Sequence, residues 1–210
     1  MLRIMRFFTK LPLLCVFFAA CSPGYQKENG DWVWVDYNEN VGKKVTWITG
    51  VDNATFRVLK DENYAADRQQ VYLKGIPIPG ADPATFEVLH RMGYARDKNH
   101  AYLDREHVLF ADPASFRVFD FPYSRDARRV FCGILPLPDL SPAEVDAFRV
   151  TNTDKLMANM KSTTMLSHFI EYNPEYRWLD TVGGIQYVIV GEWGTGETTT
   201  KRFKGFKIVN

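Results

Sequence analysis

The sequence predicts a mainly β protein: tandem β-hairpin repeats of about 30 residues with short helical turns, followed by a small α+β region at the C-terminal end. Three observations predict it. One phrase recurs at a fixed interval, as Asp52-Asn53-Ala54-Thr55-Phe56, Asp82-Pro83-Ala84-Thr85-Phe86 and Asp112-Pro113-Ala114-Ser115-Phe116. Behind each phrase lies a second one made of two short apolar runs around a polar turn, as in Tyr94-Ala95-Arg96-Asp97-Lys98-Asn99-His100-Ala101-Tyr102-Leu103. Finally, aromatic residues make up 14% of the chain and charged residues 24%, the composition of a folded globular protein rather than a disordered one.

The elements follow in order. Arg3, Arg6 and Lys10 precede an apolar run, Leu11 to Ala20, which is short of the ~20 residues that span a bilayer and so reads as an export leader over 1–20. Phe18-Ala19-Ala20-Cys21 resembles a bacterial lipobox, which makes Cys21 the expected lipidation site and the membrane a partner through that lipid. Ser22 then implies an outer-membrane lipoprotein facing the periplasm. Residues 21–30 are expected to be a linker, 31–140 the repeat region and 141–210 the α+β region. Residues 31–51 read as a degenerate first unit, with Asp31 to Asp36 alternating as a strand.

Within a unit, Asp82 and Pro83 open a helical turn, because Asp caps free N–H groups and Pro has its φ preset. Asp67, Asp97 and Asp126 recur at the polar reversal of each hairpin and are expected to be structural turn residues, their carboxylates accepting from N–H groups ahead of them. The third unit runs one residue short. Ser141-Pro142-Ala143-Glu144 is a capping box, and Phe148-Arg149-Val150 echoes Phe116-Arg117-Val118, so a fourth unit diverges here. A helix is expected over about 154–170, then a strand over 185–190 and a returning strand over 198–209.

The second hairpin resembles the DKNYY family of bacterial repeat proteins. Asp97-Lys98-Asn99 matches the family's namesake motif, while His100 stands where its first Tyr is expected and Ala101 intervenes before Tyr102. The resemblance covers residues 31–138. It implies a repeat architecture in an exported or lipid-anchored protein, and it carries no catalytic residues.

The same residues exclude several chemistries. Without Arg3, Arg6 and Lys10 the chain has 23 Lys+Arg against 25 Asp+Glu and no basic run, which argues against nucleic acid as a partner. Cys15 leaves with the leader and Cys21 is acylated, so Cys132 has no disulfide partner; at the hairpin position of Leu73 and Leu103 it reads as a buried small hydrophobe. His90, His100, His107 and His168 show no metal-ligand spacing, no metal or other cofactor is expected, and no nucleophile–base pair suggests an enzyme. The recurring aromatics read as core. Trp32, Trp34 and Trp47 lie outside the regular units and are the candidate binding surface, and a specific site is expected where the period fails, at this start or in the C-terminal third. The function so implied is a protein-binding module with an envelope or effector protein as partner, in a specific version an immunity protein neutralising an antibacterial effector such as a lipase. The alternative is a structural or glycan-associated envelope lipoprotein.

Overall fold

The computed structural model describes residues 23–90 and 92–209. The leader and Cys21 lie outside them. The chain begins as a three-stranded meander of β1 (Gly24–Glu28), β2 (Asp31–Asn38) and β3 (Gly42–Trp47). Residues 24–28 of the expected linker are therefore a strand. Glu28 pairs with Asp31 across Asn29-Gly30, and both turn residues have positive φ, +53° and +94°, the backbone that an Asn-Gly hairpin turn requires.

Three four-stranded meanders follow: β4 (Arg57–Val58), β5 (Tyr64–Ala66), β6 (Val71–Leu73) and β7 (Ile76–Pro77); β8 (Glu87–His90), β9 (Tyr94–Arg96), β10 (Ala101–Leu103) and β11 (Glu106–His107); β12 (Arg117–Val118), β13 (Tyr123–Arg125), β14 (Val130–Cys132) and β15 (Leu135–Pro136). The missing residue of the third unit falls between Val118 and Tyr123, which are separated by four residues, against five between Val58 and Tyr64 and five between Val88 and Tyr94 in the earlier units.

The recurring phrase is explained by its hydrogen bonds. Asp52 and Asp82 accept the N–H of Thr55 and Thr85 and so close a turn. The hydroxyl at the fourth position then bridges to the hairpin: Thr55, Thr85 and Ser115 accept the N–H of Arg68, Lys98 and Ala127 at 3.0, 3.1 and 3.1 Å. The hairpin carboxylate returns the contact, with Asp67, Asp97 and Asp126 accepting the N–H of Asp52, Asp82 and Asp112 at 3.0, 2.7 and 3.0 Å. Each turn is thus tied to its own hairpin at two points. The phrase is a single turn in these three units, and in the first the Phe56 N–H also reaches the Asp52 carbonyl at 3.0 Å, the spacing of one helical turn.

Adjacent units are joined by a tyrosine ladder. Tyr25, Tyr64, Tyr94 and Tyr123 donate to the carbonyls of Asn63, Gly93, Pro122 and Gly194 at 3.2, 3.3, 2.6 and 3.1 Å, each acceptor lying one unit further on. The same four carbonyls accept the N–H of Lys74, Asp104, Gly133 and Gly205. Each ladder ring also meets the phenylalanine of the next phrase, which in turn meets that unit's hairpin ring: Tyr64, Phe86 and Tyr102 have successive centroids 5.8 Å apart, and Tyr94, Phe116 and Phe131 follow at 6.1 Å. Burying such a ring contributes roughly 2–3 kcal/mol, so the ladder rings supply much of the inter-unit adhesion. The expected core role of these aromatics holds. Tyr94→Phe keeps the ring and loses its 2.6 Å bond. It is expected to cost about 1 kcal/mol and to lower the melting temperature by roughly 2–4 °C in a calorimetric scan.

The ladder identifies the fourth unit, which the sequence shows only in its first half. Helix α1 (Pro142–Ala147) occupies the phrase, with Ser141 accepting the N–H of Glu144 and the Glu144 carboxylate accepting the N–H of Ser141 at 2.9 Å, as the capping box predicts. Strand β16 (Arg149–Val150) pairs with β19 (Thr195–Glu197), β19 with β20 (Arg202–Lys204), and β20 with β21 (Lys207–Val209), the same meander as before. The returning strand expected over 198–209 is these last two strands and their reversals. Thr198 takes the place of the hairpin Asp, its hydroxyl accepting the N–H of Thr200 and Lys201 at 3.2 and 3.0 Å.

Between β16 and β19 the unit is interrupted by residues 151–194. They hold α2 (Lys155–Ala158), β17 (Ser162–Met165), α3 (Leu166–Tyr172), a 3-10 helix over Pro174–Thr181, and β18 (Tyr187–Val190), which pairs with β17. The single helix expected over 154–170 is therefore broken. Asp154 caps the first piece, and Ser162-Thr163-Thr164, with two adjacent β-branched residues, forms the strand instead. The insertion folds back on the array: Ile134 donates to Ile189 at 2.9 Å, and the Lys161 ammonium bonds Asp104 and the Met92 carbonyl at 2.7 Å each. Among the described residues no helix is long and apolar enough to cross a membrane.

Candidate partner-binding groove

The insertion and the end of the fourth unit enclose an open groove of about 680 Å³. One wall is α3. Its Phe169 and Ile170 are buried, with Phe169 packed on Tyr176 and Phe206 at 5.5 and 5.4 Å, and this leaves His168 and Tyr172 on the outward side. Asn173-Pro174 ends that helix. The floor is the β20–β21 hairpin, turned by Gly205-Phe206. The other wall is the short reversal Gly191 to Gly194, which carries Trp193 and is held to the ladder by the Tyr123 hydroxyl on the Gly194 carbonyl.

Two rings and two cations define its character. Tyr172 is 69% exposed and Trp193 44%, and the two large rings line the same groove. The Lys204 ammonium lies 4.5 Å from the Trp193 ring centre and the Lys207 ammonium 5.4 Å from that of Phe206. Contacts of this kind contribute about 0.5–1 kcal/mol each at exposed sites and hold the cations in place. Glu192 also lines the groove. This arrangement stacks planar or apolar groups and attracts anions.

Two further clefts are less open to a partner. One, of about 470 Å³, is lined by charges of both signs, Asp61, Lys74, Asp104, Arg105, Glu106 and Lys161, of which Lys161 and Asp104 form an ion pair. The other, of about 530 Å³, contains His107 stacked on His100 with centroids 4.1 Å apart. Burial, followed by the neighbouring His100, holds the His107 imidazole below its usual pKa. Among the described residues, no group of three or more His, Cys, Asp or Glu side chains is placed to hold a metal ion.

The residues singled out in the sequence are distributed differently from the expected surface. Trp34 is buried and packs edge-on against Tyr25 at 5.0 Å, close over Gly75 of the next unit. Trp32 stacks on Phe56 at 4.3 Å beneath the Lys27 ammonium. Trp47 is exposed. The three therefore form no common face: two of them cap the aromatic stack at its N-terminal end because the first full unit has no preceding unit to cover Phe56. Asp67, Asp97 and Asp126 are themselves buried beneath exposed hairpin reversals, each accepting two backbone N–H groups on one carboxylate oxygen.

Cys132 is fully buried, and burial pushes its thiol up to about 12. It is expected to resist an aromatic disulfide reagent in the folded protein at pH 8 and to react fully in guanidinium, read by absorbance. Fast labelling of the native chain would contradict this environment.

Sequence reasoning missed Tyr172, Trp193, Lys204 and Lys207. The available signal was the echo at Phe148, which places the missing half of the fourth unit downstream and marks all between as insertion.

The DKNYY family model matches the chain over two consecutive segments, residues 34–93 and 94–207. The second segment reaches well past the 31–138 expected from the motif and takes in the interrupted fourth unit. No curated protein and no solved structure matches.

Proposed function

The chain belongs to the DKNYY family, and from that premise we propose that it is a lipid-anchored, periplasm-facing repeat protein that acts by binding another protein, as an immunity protein against an antibacterial effector such as a lipase. The observation that carries this reading is the groove: the one unit whose repeat is interrupted presents exposed Tyr172 and Trp193 beside two lysines. Exposed Tyr and Trp side chains anchor protein interfaces, and lysines beside them supply charge complementarity to a partner. The recurring Asp and Tyr residues of the other units are committed to internal hydrogen bonds. The leader and Cys21 supply the address and the anchor.

The test is a contest between sister cells. Deleting the gene should sensitise a strain only where a neighbour delivers the cognate effector, and restoring it should protect. A deletion strain as resistant as its parent against every effector-delivering neighbour would end this reading. Anchoring is read separately, by a mass increase at Cys21 and by detergent partitioning that Cys21→Ala abolishes.

The exposed rings of Tyr172 and Trp193 also suit sugar stacking, and this favours a second reading as a glycan-associated envelope lipoprotein. It requires binding to isolated sacculi that Trp193→Ala removes.

A further inference from the structure

We propose that the groove receives an acidic polypeptide segment of the partner protein, with Lys204 and Lys207 taking its carboxylates and Tyr172 and Trp193 its apolar side chains. This deepens the protein-binding reading above and rests on it.

The first ground is an unresolved charge. Lys204 and Lys207 are directly opposite each other on β20 and β21. Like charges in cross-strand register destabilise a sheet. Among the described lysines, Lys43, Lys98, Lys155, Lys161 and Lys201 are paired with carboxylates and Lys27, Lys44, Lys60 and Lys74 are not, so what distinguishes Lys204 and Lys207 is their facing register beside aromatic rings. Lys204 and Lys207 make no ion pair among the described residues, and aromatic rings hold both. An anion between them would relieve the repulsion, so the pair is a site lacking its counter-charge.

The second ground is what surrounds that pair. Tyr172 and Trp193 flank it, and Val209, two residues from Lys207 on the same face of β21, lines the groove and remains 40% exposed. Strand β21 is the outer strand of its sheet, so its far edge offers backbone groups to an extended segment. Glu192 is the one carboxylate among the groove's lining residues and opposes an anion. The two lysines outweigh it, while His168 lies 3.4 Å from Glu171 outside the pair. A free phosphate or lipid headgroup would use the lysines and leave the apolar surface uncovered. A segment bearing both carboxylates and aromatic groups uses all of it.

The test uses the mature chain carrying Cys21→Ala, so that no acyl group contributes, and a labelled Glu–Tyr copolymer as probe. Binding is expected to weaken with salt and to be absent for a Lys–Tyr copolymer. Lys204→Glu should weaken it by roughly tenfold or more. The same substitution places Glu opposite Lys207 and should leave the melting temperature unchanged or raised, an outcome that a merely structural lysine would not give. Equal binding of the parent chain and Lys204→Glu overturns the proposal. So does a lower melting temperature with Lys204→Glu, or a preference for phosphatidylglycerol vesicles over the copolymer. In the sister-cell contest, protection that survives Lys204→Glu but not deletion leaves the protein-binding reading standing and puts its site elsewhere. Deletion without effect removes the reading itself.

Discussion

Asp97→Ala is expected to destabilise the folded chain by about 3–5 kcal/mol, a large share of the 5–15 kcal/mol that holds a typical domain. One carboxylate oxygen accepts the N–H of Asn99 and of His100, both at 2.7 Å. The other accepts the N–H of Asp82 at 2.7 Å and the hydroxyl of Tyr102 at 2.8 Å. Alanine removes the acceptor of all four donors, and the Tyr102 hydroxyl, fully buried, loses a partner that water cannot replace. The substitution also cuts the hairpin from the turn that opens its unit. Thermal and urea unfolding should both register the loss, with a fall in melting temperature of roughly 10 °C. Asp97→Asn keeps one acceptor oxygen and should fall between the two. If Asp97→Ala unfolds within 2 °C of the parent, the hairpin carboxylate is not the tie described.

The pH dependence follows from the same bonds. Desolvation by burial would raise the pKa of Asp97, but the N–H groups of Asp82, His100 and Asn99 and the Tyr102 hydroxyl outweigh it and hold the carboxyl below its usual value; Asp67 behaves alike with Asp52, Gln69, Gln70 and Tyr72. A carboxyl whose pKa is lowered on folding adds stability above its unfolded pKa of about 4 and loses it as pH falls through the folded value. Urea midpoints should therefore hold between pH 5 and 7 and drop below about pH 4. The gap between the parent chain and Asp97→Ala should narrow over the same range, since acid protonates the group that alanine removes.

What the sequence discloses about this fold depends on how local the physics is. The hairpin Asp works on N–H groups two and three residues ahead, so its role is legible from spacing, as is the capping box at Ser141. The tyrosine ladder is less so: Tyr64 and Tyr94 find their acceptors at Gly93 and Pro122, a whole unit away, and nothing around either Tyr marks a hydrogen bond. The second half of the fourth unit is hidden for two reasons. Its marker residues are replaced at two places, with Thr195 at the ladder position and Thr198 for the Asp, while Phe203 keeps the hairpin ring of Phe131, and residues 151–194 separate it from the half that keeps its echo. The Trp-rich start misled for the opposite reason. A tryptophan outside the period suggests a surface, yet the first full unit needs a cover over Phe56, and Trp32 and Trp34 belong to the meander that supplies it. The groove lies in the other place where the period fails, and its residues are separated in sequence by the 3-10 helix and β18, so proximity in the chain could not assemble it.

Gly133→Ala is expected to unseat the insertion from the array, at about 3–4 kcal/mol. A Cβ there would lie 2.0 Å from the Ile189 carbonyl oxygen and 2.6 Å from the Val190 Cα, both backbone atoms of β18 that no side-chain rotation can move aside. Gly133 has φ +61°, but conformation alone does not demand glycine: Lys74 and Asp104 hold the same place in the first two units at φ +50° and +55°. In the fourth unit Gly205, at φ +58°, again has insertion backbone beside it, with Glu192 Cα 2.9 Å from where a Cβ would be. Glycine therefore occupies this position where the insertion's returning chain crosses it, and a side chain is tolerated where nothing crosses. Alanine at 133 should break the 2.9 Å bond from Ile134 to Ile189, expose residues 151–194 to limited proteolysis, and speed amide exchange in β18 while the first two units keep their protection. Because β18 leads directly into the reversal that carries Trp193, binding in the groove should fall with it. Lys74→Ala is the control, with the same backbone and no crossing chain, and should cost less than about 1 kcal/mol. Equal losses for the two substitutions would mean that the left-handed backbone, and not the approach of β18, sets the penalty.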